Sequence, residues 1–280
     1  MKALIDADIL PYEFGGMVQL EEPDQPLAWE IVRSMVDDRI NQILEATSAT
    51  EYALFLTDSK SNFRVSLATI LPYKGNRKAE KPHHWQAIRQ HLIDEWDAKV
   101  QYGIEADDRL GIEQMKPEDE SGVWMNCKTV ICSRDKDLHM IPGWHYTWPA
   151  GTQKERLWFQ DETSAIRCFY RQLLTGDRTT DNILGLYGVG NNNQLVKSLE
   201  DISEEKLMFK HVFKAYQDRF GNYGWDFLLE NAQLLWMLRE EVDVNDGYGC
   251  SHTLKYSPEL EIETRLNDLL EELEDDKTMA

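Results

Sequence analysis

The chain has 280 residues, 42% of them hydrophobic and 10% aromatic, enough for one large α/β domain or one domain with a small appendage. No run approaches the roughly 18 uninterrupted apolar residues that a membrane span needs, which excludes that class. A formal net charge of −20 argues against uniform phosphate binding and makes the distribution of charge the informative quantity.

The N-terminus enters an apolar stretch, Ala3-Leu4-Ile5, with no export pattern, and a cytoplasmic location is expected. That stretch reads as a short strand and ends in Asp6. A helix-period segment follows over 27–46, then a strand over 52–56 that runs into Thr57-Asp58. Next the charge pattern inverts. From 60 to 91, Lys60, Arg64, Lys74, Arg77, Lys78, Lys81 and Arg89 stand against Glu80 alone, a basic stripe on an acidic body that suits focused DNA binding. Within it, Tyr73-Lys74-Gly75-Asn76-Arg77-Lys78 offers cations to grip a phosphate and a ring to stack on an unpaired base. By itself such a cluster is more often a solvated face.

A second helical period covers 85–97. Glu105-Ala106-Asp107-Asp108 then opens a helical run with Leu110, Ile112 and Met115. Acids in a first turn suit the helix dipole, yet Glu105 and Asp108 are three apart and can converge on one face. The strand over 129–132 leads into Ser133-Arg134-Asp135-Lys136-Asp137. Three strand-length runs thus end in acid. Short buried strands alternating with helices predict a parallel-rich sheet covered on both faces, with ligands at the carboxyl ends of its strands. One such Asp is commonly a turn or cap. Several together form a nest of like charge, stable only if cations neutralise it or carboxyls protonate. Oxygen-only ligands select Mg²⁺ or Mn²⁺ over zinc. The cysteines Cys127, Cys132, Cys168 and Cys250 lack zinc spacing and read as reduced thiols.

Segments 145–148 and 157–159, around Pro149-Ala150-Gly151, predict a hairpin, followed by a helix over 161–174. Asp177 and Asp181 then join Asp135 and Asp137 as a second acid cluster. Two clusters in one cleft suit two metals about 4 Å apart in an in-line phosphoryl displacement. Gly188-Val189-Gly190 precedes an apolar run (Leu195, Val196, Leu199) and can offer free backbone N–H groups to a phosphate backbone; a lone GxG is usually just a tight loop. Helices are expected over 204–220 and 225–241. From Glu259 to Asp276 nine acids face Arg265 alone, which describes a solvated tail or a short acidic helix from about residue 258, with 275–280 expected to be disordered.

In order, Leu4-Ile5-Asp6, Asp58, Tyr73-Lys74-Gly75-Asn76-Arg77, Glu105-Ala106-Asp107-Asp108, Asp135-Lys136-Asp137 and Gly176-Asp177 with Asp181-Asn182-Ile183 resemble the 5′ nuclease/flap endonuclease family. Pro142-Gly143, with His145-Tyr146, looks more like its phage 5′→3′ exonuclease branch. The resemblance spans about residues 1–199. It implies an α/β, PIN-like 5′-nuclease fold with a mixed, mostly parallel sheet, a helical arch over about 72–102 and a helix-hairpin-helix-type element. The implied division is a catalytic domain to residue 175, a DNA-binding and helical region to 257, and the acidic tail. By the same resemblance Asp6, Asp58, Glu105, Asp107 and Asp108 serve one metal and Asp135, Asp137, Asp177 and Asp181 the other. The ions are Mg²⁺, for which Mn²⁺ can substitute. Lys74 and Arg77 contact the scissile phosphate, with Tyr73, Lys78 and Lys81 on the DNA. Gly188, Val189 and Gly190 form a hairpin that in the family often holds K⁺ as well as duplex.

The implied partner is DNA with a 5′ end, nick or flap, or an RNA–DNA hybrid; nothing points to a membrane or to a particular protein partner. Two departures stand out. Asp177 and Asp181 are four apart where the family has three, and Asn191-Asn192-Asn193 replaces a charged hairpin. Asp8 is an extra acid without an assigned role. Two rival readings are a haloacid-dehalogenase-type phosphatase, which needs Gly176-Asp177 at a strand end, and a non-catalytic DNA-binding protein.

Overall fold

Strands buried on both faces need apolar residues at successive positions, and the central strands have them. In the computed structural model, which describes residues 1–20, 22–58, 60–77, 80–116, 128–241 and 257–279, six strands form one sheet. They are β1 (Lys2–Asp6), β2 (Glu51–Thr57), β3 (Lys99–Gln101), β4 (Thr129–Cys132), β5 (Gly143–Thr147) and β6 (Arg156–Gln160), in the order β3-β2-β1-β4-β5-β6. All pairings are parallel except the β5–β6 hairpin. The fold is therefore α/β with a mixed, mostly parallel sheet.

The helices are α1 (Ile9–Phe14), α2 (Trp29–Thr47), α3 (Phe63–Leu67), α4 (Trp85–Trp96), α5 (Ala106–Met115), α6 (Glu162–Thr175), α7 (Gln194–Ser198), α8 (Glu205–Phe220), α9 (Gly224–Leu235) and α10 (Glu259–Met279). The chain divides into two compact units: Met1–Ser61, Ala79–Leu138 and Pro142–Gln160 in the first, and Asn62–Lys78, His139–Ile141 and Asp161–Ala280 in the second.

In the first unit alternate residues of each strand face opposite layers. Ala3, Ile5, Leu54, Leu56, Val130 and Cys132 meet Val32, Val36, Ile40 and Ile43 of α2 and Ile88 and Leu92 of α4 in one buried cluster. Leu4, Phe55 and Ile131 are equally buried, and α5 packs on β1, β2 and β4. Registers Asp6↔Phe55 and Ile5↔Cys132 hold the carboxyl ends of β1, β2 and β4 nearly level. The chain leaves β1 toward β2 and β3 and returns to β4 on its other side. The topological switch point thus lies between β1 and β4.

The second unit is helical. Buried Phe169 and Tyr170 of α6, Met208, Phe209, Val212 and Tyr216 of α8, and Leu228 of α9 form its interior. Arg64 of α3 is almost fully buried there, its Nε donating to the Leu234 carbonyl (2.9 Å) and its Nη2 to that of Trp236 (2.5 Å). It satisfies carbonyls left open at the end of α9, so it is no part of a DNA-facing stripe.

Several expected boundaries shift. The expected division at residue 175 falls between Gln160 and Asp161, and 62–78 belongs with the helical unit. The span 72–102 is not an arch throughout: 85–96 is a core helix whose Ile88 and Leu92 are buried, and 99–101 is an edge strand. Of the two readings of the acidic segment the helix holds, and it continues through residues expected to be disordered. Helix α10 runs to Met279 and packs on α8 and α9 through buried Ile262 and Leu266. Helix α9 ends at Leu235, short of the expected 241. Lys78, Cys127 and Cys250 lie outside the described residues.

Candidate active site

The switch point carries the carboxylates of the first unit. Asp6 closes β1 and is 4% exposed. Its Oδ2 accepts from Ser133 Oγ (2.8 Å) and its Oδ1 from the Asp8 backbone N–H (3.2 Å). Burial, followed by the charges of Asp8 and Asp135, pushes its carboxyl up to about 8, against the opposing Ser133 hydrogen bond. Just past β4, Ser133 Oγ accepts from Asp135 N–H (2.9 Å), and Asp135 Oδ1 accepts from Asp137 N–H (2.9 Å). Asp137 is buried, with Lys136 Nζ at 3.8 Å. Asp6, Ser133, Asp135 and Asp137 thus form one hydrogen-bonded series. Ser133 carries no acid signature, and only its place one residue past a strand could have flagged it.

Asp8 now has a role. Its Oδ2 accepts from Thr57 N–H (2.9 Å) and its Oδ1 from Arg89 Nη1 (2.8 Å), while Arg89 Nη2 donates to the Thr57 carbonyl (2.8 Å). Thr57 Oγ1 accepts from Ala106 N–H (2.9 Å). These bonds fasten the end of β1 to β2, α4 and the start of α5. Arg89 is thereby a structural cation. Burial nonetheless raises the Asp8 carboxyl, outweighing the bonds from Thr57 and the charge of Arg89.

Asp58 and the α5 acids are locally employed. Asp58 Oδ2 accepts from Ser61 Oγ (3.0 Å) and Lys60 N–H (3.2 Å). Glu105 and Asp108 form a reciprocal capping box, each side chain accepting from the other's backbone N–H, and Asp108 is fully buried. Asp107 sits in the same first turn, half-buried. These commitments limit the expected convergence. Among the described residues, no three His, Cys, Asp or Glu side chains come together as a ready metal cage. Glu105 and Asp108 cap a helix and Asp58 closes a turn.

In the second unit, segment 72–77 is docked on segment 178–182. Asn76 Nδ2 donates to the carbonyls of Arg178 (2.7 Å) and Thr179 (3.2 Å), and Arg77 Nε to that of Thr180 (3.0 Å). Lys74 N–H donates to the Asp181 carbonyl (2.9 Å) and Asn182 Nδ2 to that of Pro72 (2.9 Å). The Asp181 carboxylate accepts from Arg77 Nη2 (2.9 Å) and Tyr73 OH (3.1 Å), with Lys74 Nζ at 3.8 Å. Tyr73 is buried, so the expected stacking of its ring on a base does not hold in this structure. In the first unit Lys81 is exposed, its ammonium over the Trp85 ring at 3.7 Å.

Asp177 is buried. Its Oδ1 accepts from Thr180 N–H (3.1 Å), whereas Oδ2 has no hydrogen-bond partner among the described residues. Two glycines set that loop. Gly176 (φ +69°) and Gly185 (φ +57°) lie back to back, and a Cβ on Gly185 would stand 2.3 Å from Gly176 N. Gly176-Asp177 follows helix α6 rather than a strand, which removes the premise of the dehalogenase-type reading. Gly188 and Gly190 are exposed with open space around them, and α7 after them has only five residues.

No family profile matches the sequence, and no curated protein matches it. Among solved structures, the chain is similar to the phage T5 D15 protein co-crystallised with metal ions, at 15% identity and a TM-score of 0.48 over 83% of this chain and 98% of that one. It is similar to the catalytic core of Rad2 in complex with DNA substrate, at 17% identity and 0.48, over 96% and 86%. It is also similar to human GEN1 in complex with Holliday junction DNA, at 12% identity and 0.45, over 98% and 68%.

Proposed function

We propose that this chain is a divalent-metal-dependent 5′ nuclease of the flap endonuclease family, a phage-type 5′→3′ exonuclease and 5′-flap endonuclease that hydrolyses DNA phosphodiesters in primer or flap removal. The observation that carries the reading is the crowding of Asp6, Asp8 and Asp135 at the switch point of a parallel sheet, where ligands of such sheets bind. Burial, joined by the charges of Asp8 and Asp135, holds Asp6 at about 8, and a bound cation would relieve that cost. The donors are all oxygen, the buried Asp177 Oδ2 has no partner among the described residues, and both features fit hard divalent ions. The order of motifs along the chain supplies the family.

On this reading Asp6, Asp135 and Asp137 of the first unit would hold metal, with Asp58, Glu105, Asp107 and Asp108 as further carboxylates, and Asp177 of the second unit would offer its own carboxylate to an ion. Held by these carboxylates, Mg²⁺ would supply an activated water and stabilise charge on the departing oxygen. Lys74 and Arg77 bind the scissile phosphate and offset charge that develops on it. Ser133 orients Asp6 and Asp135. The backbone of exposed Gly188 and Gly190, with half-buried Val189 between them, takes duplex phosphates and a K⁺ ion, a contact that holds DNA without reading sequence. Purified protein on 5′-flap, nicked, blunt and single-stranded DNA tests this: cleavage from 5′ ends is expected with Mg²⁺ and none with EDTA. Intact DNA throughout, or cleavage indifferent to EDTA, rejects it.

A further inference from the structure

Asp181 differs in kind from Asp177, four residues earlier. Asp177 keeps a buried carboxylate oxygen without a partner among the described residues, whereas both oxygens of Asp181 are engaged. Oδ1 takes Arg77 Nη2 at 2.9 Å with Lys74 Nζ at 3.8 Å, and Oδ2 takes Tyr73 OH at 3.1 Å. The Asp181 backbone is engaged as well, its carbonyl accepting from Lys74 N–H at 2.9 Å. Lys74 itself has φ +55° and Asn182 has φ +63°, conformations that side-chain-bearing residues keep only where the surroundings fix them. The bonds of Asn76, Arg77 and Asn182 across the same two segments do so.

We propose that Asp181 is a positioning residue that holds Tyr73, Lys74 and Arg77 in their working orientation, and is not a metal ligand. This rests on the nuclease reading for what the oriented cations do. A guanidinium presents several N–H groups in a fixed fork. Binding one edge of it to Asp181 fixes the direction in which the rest points. A long cation side chain so held loses less rotamer freedom when a phosphate arrives. The four-residue spacing between Asp177 and Asp181 follows naturally: one acid is free for an ion and the other faces the basic segment.

Three measurements test the proposal, two of them without catalysis. Mn²⁺ titrated into the DNA-free protein and followed by electron paramagnetic resonance should give the same number of ions and the same affinity, within about threefold, for wild type and Asp181→Asn. Asp177→Asn should lose an ion or weaken it by tenfold or more. Thermal unfolding of Asp181→Asn, Arg77→Ala and the double variant should be clearly non-additive, as coupled neighbours are. Under saturating Mg²⁺, single-turnover cleavage of a 5′-flap duplex by Asp181→Asn should fall about 10- to 100-fold. Binding of that duplex in Ca²⁺ should change less than the rate, and Asp181→Glu should restore part of it. Loss of a Mn²⁺ site in Asp181→Asn, or additive unfolding, overturns the proposal. If wild type cleaves no DNA the nuclease reading falls, while the Mn²⁺ and unfolding arms still decide where Asp181 acts.

Discussion

Replacing Asp6 by Asn should stabilise the metal-free protein, by an amount that grows with pH. Burial, Asp8 and Asp135 push the Asp6 carboxyl up to about 8, and unfolding returns it to about 3.9. Between those values the folded chain holds a proton that the unfolded chain has released. The associated stability is fully present below about pH 4, falls as pH rises, and is lost as pH passes about 8. Each unit is worth about 1.4 kcal/mol. Wild type has therefore given up on the order of 1 kcal/mol at pH 5 and a few kcal/mol at pH 7, as ceilings that water penetration lowers. Asn removes the titration. It keeps an oxygen for Asp8 N–H and places an amide near Ser133 Oγ, the two partners of Asp6.

A chain of this size gains about 2–3 °C in Tm per kcal/mol. Asp6→Asn in EDTA should thus melt about 5–10 °C above wild type at pH 7, and about 2–4 °C above it at pH 5. Thermal unfolding followed by circular dichroism at both pH values reads this directly. Adding Mg²⁺ should raise wild type and leave the variant nearly unmoved, and the variant should lose cleavage. A variant that melts at or below wild type at pH 7, or whose gain does not change with pH, refutes the charge-crowding argument.

Three further outcomes are expected. Asp135→Ala or Asp107→Ala should abolish Mg²⁺-dependent cleavage with an unchanged circular dichroism spectrum; near wild-type cutting by either would remove that residue from the site. Lys74→Ala should slow single-turnover cleavage by about 2–4 kcal/mol, roughly 30- to 1000-fold, while Ca²⁺-supported DNA binding weakens only several-fold. The reverse pattern, weak binding at an unchanged rate, would make Lys74 a docking residue. Gly185→Ala places a Cβ 2.3 Å from Gly176 N at φ +57° and should destabilise the protein by more than about 2 kcal/mol, visible as a Tm lowered by several degrees.

What the sequence made legible was local. Buried parallel strands are apolar throughout, so the first acid after each run marks the strand's exit, and Asp6, Asp58 and Asp135 were found that way. Strand β3 was missed because Lys99-Val100-Gln101 has one apolar residue and borrows its strand character from pairing with β2. For helix α10 the acid run leaves a solvated tail and a short acidic helix both open. Yet Ile262, Leu266 and Leu273 are buried at helical spacing beneath its nine acids, a stripe that composition alone conceals. Roles that depend on a distant partner stayed hidden: Arg89 lies 81 residues from Asp8 and Arg64 170 from Leu234. No local pattern separates these inward cations from those that could meet a phosphate.

That distinction changes how the basic window should be understood. Read as seven cations against one acid, it suggests an electrostatic patch strong enough to offset a charge of −20. In the structure Arg64 and Arg89 hold backbone carbonyls and Asp8, and Lys74 and Arg77 face Asp181. A cation held by a carboxylate surrenders much of its long-range field but gains a fixed direction. The window is therefore poorly suited to gathering DNA from a distance and well suited to aiming a few contacts at one phosphate. On the proposed nuclease reading, affinity would come from groups that do not depend on net charge, such as the exposed glycine backbone at 188 and 190. That reading lets an acidic protein act on a polyanion, with orientation left to side chains and holding to the main chain.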